Sequence, residues 1–146
     1  MSSGGEQGII AGREDYERYL GYFNDREYDG QIAFYTLDVR YRVGTLVIEG
    51  PGQIRDFYRD FHQYSTEHVA LREFALSGDT LAVAVATRFE PFRDYLQNGL
   101  EFRAGEPKDI LTLAFYRLRG GRIHRIRMAR YGGPASDFDQ GPSDPM

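Results

Sequence analysis

Three histidines, eleven tyrosines and no cysteine set the chemistry open to this 146-residue chain. Without cysteine there is no thiolate nucleophile, no disulfide and no sulfur-ligated metal. Proton transfer and hydrogen bonding therefore fall to imidazole, carboxylate and phenol. His68, in the stretch Thr66-Glu67-His68-Val69-Ala70-Leu71-Arg72-Glu73-Phe74, is the first candidate. An imidazole titrates near neutrality and can move protons to and from a substrate. By strand alternation it shares a face with Ala70, Arg72, Phe74 and Leu76. The competing reading is an idle histidine bonded to water or backbone.

The other two histidines read as structural. His62 lies beside an apolar helix stripe and is expected to be exposed, and His124 closes a strand with Ile126 and Met128 on its face. The spacing from His62 to His68 crosses a helix end and does not match a zinc site, so no metal is expected. The phenols are the second resource. A tyrosine hydroxyl in a dry pocket can hydrogen-bond a developing oxyanion, and Tyr19 and Tyr58 are the leading pair. Their alternative is a pair of amphipathic core tyrosines whose hydroxyls reach water.

The elements that must position these groups are legible from periodicity. Tyr16, Tyr19, Leu20 and Phe23 recur at i, i+3, i+4 and i+7 within residues 13–25, predicting a helix. Asn24 is expected to organise the turn after it by bonding local backbone. A short helical segment through Ile32 to Tyr35 follows, then strands at 38–43 and 46–48 split by Gly44. Gly50-Pro51 starts a second long helix with Ile54, Phe57, Tyr58 and Phe61 on its stripe. Strands over 66–77 and 80–92 join at Gly78-Asp79, and strands over 109–118 and 122–131 join at Gly120-Gly121. Residues 93–107 read as a polar connection, a candidate lid. Helices followed by a meander predict an α+β fold, with helices packed on one face of a curved sheet.

Composition bounds the rest. A formal net charge of −4 disfavours nucleic acid and anionic membranes as partners. No apolar run approaches the ~20 residues of a membrane span. Residues 1–12 and 132–146, rich in Gly, Ser, Pro and Asp, are expected to be flexible tails around a 13–131 domain. A cytoplasmic location is the default expectation.

This order of elements resembles the nuclear transport factor 2-like superfamily, and within it the SnoaL-like group of polyketide cyclases and ketosteroid isomerases. The resemblance is carried by "YFNDREYDGQIAFYTLDVRY", "EGPGQIRDFYRDF" and "FYRLRGGRIHRIRMARYG", and covers roughly residues 13–131. It implies a cone-shaped, strongly curved sheet wrapped around helices, a cystatin-like α+β barrel with a deep apolar pocket. It also implies cofactor-free acid–base chemistry. His68 would stand on the pocket wall, and Tyr19, backed by Tyr58, would steady the oxygen. Tyr41, Val43, Val85, Phe89, Tyr116 and Met128 would line the cavity for a small hydrophobic or aromatic substrate. Arg130, near the mouth, would hold an anionic or phenolic group.

Carried over residue by residue, the steroid-isomerase base falls near Val43 and its second carboxylate near Ala114. Both carboxylates are therefore missing, which ranks a lyase (elimination, dehydration or retro-aldol cleavage) above an isomerase or cyclase. Asp109 is a weaker acid–base candidate, and Asp38 is expected to cap or to pair with a framework arginine. A binding module and a dimerisation domain remain as alternatives. The small outer-face residues Ala82, Ala84 and Ala86 suit a homodimer formed sheet to sheet.

Overall fold

A computed structural model of the chain describes residues 8–43, 45–97 and 99–130. Helix α1 spans Arg13–Asn24 and buries Tyr16, Tyr19, Leu20 and Phe23, the stripe expected from their spacing. Its first turn is closed by Asp15, whose carboxylate accepts from the N–H groups of Ala11 and Gly12 at 2.8 and 3.2 Å. The short α2, Tyr28–Ile32, places Gln31 in the core. Gly50, at φ 88°, turns the chain into α3, Pro51–Phe61, with proline in the first turn.

Among the described residues, eight strands complete the fold: β1 Tyr35–Val43, β2 Leu46–Glu49, β3 Ser65–Ser77, β4 Thr80–Pro91, β5 Tyr95–Gln97, β6 Leu100–Phe102, β7 Lys108–Arg119 and β8 Arg122–Arg130. Six form one sheet in the order β2-β1-β8-β7-β4-β3, and β5 and β6 form a separate hairpin. The β1–β8 pair is parallel and the other contacts are antiparallel, so the sheet is mixed. Gly120 and Gly121 both take left-handed φ, 61° and 82°, which is what a two-residue hairpin turn between right-twisted strands demands. The sheet curls: Tyr41 on β1 and Val69 on the β3 edge line the same cavity beneath α1 and α3.

Three expectations need correction. Residues 8–12, read as tail on composition, supply Ile10 to the core at 3% exposure, with its N–H bonded to the Gly121 carbonyl. The 93–107 connection is not structureless. It contains the β5–β6 hairpin, whose Phe102 is 2% exposed and packs with Phe61 and Phe89 in a second core cluster. One large ring on the inner side anchors a segment whose average composition is polar. Asn24 does not bond local backbone: its amide donates to the Val69 carbonyl at 3.0 Å, and its side-chain oxygen accepts from the Val69 N–H at 2.9 Å. This satisfies backbone on the open edge of β3, which would otherwise stay unpaired. The tail assigned to 132–146 lies outside the described residues.

Candidate active site

Strand β3 decides which side chains reach the cavity. Its register against β4 pairs Leu71 with Val85 and then Glu73 with Ala84, so Arg72 is an extra residue, a β-bulge. Beyond the bulge Phe74 and Leu76 pack on the core, and before it Val69 and Leu71 do. Counting by twos back from Phe74 therefore lands on the wrong side. His68 is exposed on the outer face, paired across the ladder with exposed Arg88, and it is not on the pocket wall. Its neighbour Glu67 faces inward and lines the cavity instead.

Glu67 is not alone. Its Oε1 is 3.0 Å from Nε2 of His62, and Nδ1 of the same ring is 2.7 Å from the Tyr28 hydroxyl. The His62 side chain is 5% exposed and that of Glu67 13%, so the expectation of an exposed His62 is overturned. His62 follows Ile54 and Tyr58 at i+4 spacing along α3, which continues the buried stripe onto the helix C-cap. The imidazole lies between the rings of Tyr28 and Tyr58, both near 5.9 Å and almost parallel to it. A carboxylate can only accept, which puts the ring proton on Nε2 and leaves Nδ1 to accept from Tyr28. That chain spends one oxygen of Glu67 and leaves the other to the cavity.

The tyrosines form pairs. Tyr16 and Tyr116 share a 2.7 Å hydrogen bond, Tyr19 and Tyr35 another of 2.7 Å, and Tyr41 and Tyr58 one of 2.6 Å. Tyr58 thus backs Tyr41, and Tyr19 is backed by Tyr35, to which the Gln31 amide donates at 3.0 Å. Tyr41 donates its proton to Met128 Sδ at 3.3 Å, so the Tyr58 hydroxyl donates to Tyr41. A thioether is a weak acceptor, and a substrate oxygen arriving beside it would take that proton instead. Burial pushes the Tyr16, Tyr19, Tyr41, Tyr58 and Tyr116 hydroxyls well above their ordinary range. Burial likewise moves Tyr35 up to about 12. All six stay neutral donors at physiological pH.

The cavity holds about 110 Å³. Val85, Phe89, Tyr116, Met128 and Arg130 line it as expected, with Tyr19, Tyr41 and Tyr58. Val43 continues β1 opposite Met128, and its side chain lies outside the described residues. Asp109 is exposed and bonded to Arg88 at 3.1 Å, away from the cavity, because Thr112 and Ile110 take the inward positions of β7. Asp38 pairs with Arg119, as a framework residue. Among the described residues, no cluster of His, Asp and Glu could hold a metal ion, and no helix is long and apolar enough to cross a membrane.

Comparison with known proteins adds the family. Similar solved structures include a candidate polyketide cyclase from a Silicibacter species (TM-score 0.69, 18% identity, 90% of this chain and 96% of that one). An LEH-like epoxide hydrolase from M. tuberculosis aligns with TM-score 0.66 and 14% identity, over 95% of this chain and 91% of its own. An NTF2-like protein of unknown function from Burkholderia pseudomallei gives 0.65 and 16%, over 95% and 97%. At these identities the likeness is one of fold. None of the curated proteins matches the chain. The family model described as SnoaL-like domain matches residues 16–126, from the first buried tyrosine of α1 to the buried Ile126 of β8, and the chain belongs to that family.

Proposed function

We propose that the chain is a cofactor-independent acid–base enzyme whose base is Glu67. The observation that carries this reading is a pocket-facing carboxylate, nearly buried, with one oxygen fixed by His62, itself held by Tyr28, in an otherwise largely apolar wall. A carboxylate so placed costs desolvation energy, which its hydrogen bonds offset in part. In a dry cavity its free oxygen can take a proton from carbon beside a carbonyl, or from a hydroxyl. The negative charge that develops on the substrate oxygen is met by the Tyr41 hydroxyl, held in turn by Tyr58.

The preference for a lyase over an isomerase rested on the two missing carboxylates. Glu67 supplies one from a different strand, so that reason falls. Proton abstraction by Glu67 serves both outcomes, and the substrate decides between them. Proton removal from the acidic carbon gives elimination where the neighbouring carbon bears a leaving group and isomerisation where it does not; proton removal from a β-hydroxyl gives retro-aldol cleavage, the Cα–Cβ electron pair passing into the enolate. The substrate class is a small aromatic or apolar molecule bearing a carbonyl or hydroxyl.

The test is turnover across a panel of aromatic hydroxy-ketones. Glu67→Gln should lower kcat by about 10²–10⁴-fold with substrate affinity retained, the usual contribution of a positioned base. Unchanged kcat in that variant removes Glu67 from the reaction. His62→Gln should give a smaller loss and shift the pH–rate profile, because it alters the partner of the base and not the base itself.

A further inference from the structure

The cavity wall carries two charged side chains among its described residues, the anion Glu67 and the cation Arg130. They stand on opposite flanks. Arg130 on β8 registers with Thr112 on β7, Thr112 with Val85 on β4, and Val85 with Leu71 on β3. Glu67 lies four residues before Leu71 on the same strand. Three inter-strand steps separate the two strands, on the order of 14 Å along the curved sheet. Between the two charged groups the wall is neutral: Thr112, Val85, Thr87 and Phe89. The walls facing it are the rings of Phe23, Phe57, Tyr58 and Phe61.

Arg130 lines the cavity and is exposed on its outer side. The mouth therefore carries a guanidinium cation that remains partly hydrated. A group held there keeps some of its own water, so a full charge can enter at small desolvation cost. At the far end the Glu67 carboxylate repels a second anion and accepts from a proton-bearing neutral group.

We propose that the pocket is built for a one-ring aromatic monocarboxylate, its carboxylate on Arg130 and its neutral, proton-bearing end at Glu67. The enclosed part of the cavity, about 110 Å³, is smaller than the roughly 150 Å³ that accommodates a whole benzene ring, so a one-ring ligand is only partly enclosed and its carboxylate end lies in the open mouth. The inference rests on the acid–base reading for the orientation of the ligand, and on the arrangement of charge alone for its carboxylate.

Calorimetric titration of the full chain with para-hydroxybenzoate and with its neutral counterpart, para-hydroxybenzyl alcohol, tests it. The carboxylate should bind the native protein about tenfold or more tighter, as a charge-assisted bidentate contact would give. Arg130→Gln should abolish that preference while leaving the affinity for the alcohol within about twofold, and Arg130→Lys should retain part of it. Equal affinity of the two probes, an undiminished preference in Arg130→Gln, or no binding of either probe overturns the proposal. In Glu67→Gln the carboxylate probe should bind at least as well as to the native chain. Turnover in that variant judges the base, and probe affinity in Arg130→Gln judges the anion site, so each can fail alone.

Discussion

At the scale of single residues, the chain's chemistry depends on which histidine is given a partner. His62 is enclosed by aromatic rings and bonded at both nitrogens. His68 sits in solvent. His124 is a third case, because its Nδ1 is buried with no hydrogen-bond partner among the described residues. Burial, with Arg119 and Arg125 nearby, pulls its pKa below the ordinary 6.5. A depressed histidine pKa means that the unfolded chain binds the proton first. The stability contributed by neutral His124 is thus present above pH 6.5 and is lost as the pH falls towards the folded value. In NMR titration the His124 ring signals should move only below pH 6.5, and His124→Gln should flatten the fall of Tm with acidification. A ring that titrates at or above 6.5 would contradict this.

At the scale of elements, two local devices place Glu67. One is the bulge at Arg72, which lets β3 present Glu67, Val69 and Leu71 inward before it and Phe74 and Leu76 after it. The other is Asn24 at the end of α1, whose amide holds both backbone groups of Val69 two residues from Glu67. Asn24→Ala should cost about 1–3 kcal/mol in denaturant unfolding, because two partly buried backbone groups lose their partner. Hydrogen exchange should speed up at the Val69 amide in particular. Protection at Val69 unchanged from the native chain would show that the clamp does not hold the strand. Periodicity read from the sequence found both long helices and most of the strands, since apolar spacing reports the average environment of each element. It missed the bulge because one inserted residue leaves composition intact and only inverts the phase.

At the scale of the whole molecule, six of the ten described tyrosines are buried, five of them lining one cavity. Their raised pKa values mean that the folded chain keeps protons that the unfolded chain releases. The associated stability is complete below the ordinary tyrosine value of 10.0 and is lost as the pH rises above it. Phenolate absorbance should therefore show a late, cooperative rise in which the buried six ionise together with unfolding. A single smooth titration of all eleven would show that the cluster is open to solvent. On the outer face, Ala82 and Ala84 pair with Phe115 and Leu113, which are 52% and 37% exposed. We propose that a second copy covers this patch. Sedimentation should give a dimer that Phe115→Glu converts to a monomer with its circular dichroism unchanged. A native monomer would sink the idea.

The sequence by itself determined the fold class, the order of elements and the aromatic character of the pocket, because these follow from spacings of 2 and 3.6 residues that recur many times and average out local irregularity. It also singled out Arg130 and the cavity-lining Val85, Phe89, Tyr116 and Met128, which alternate in step along the stretches of strand that reach the pocket. Only the tertiary structure placed Glu67 on the pocket wall. Glu67, His62 and Tyr28 come from a strand, a helix end and a short helix, and nothing in their spacing announces that they meet. Their meeting depends on one extra residue in β3 and on the long-range clamp from Asn24, contacts that no local pattern encodes.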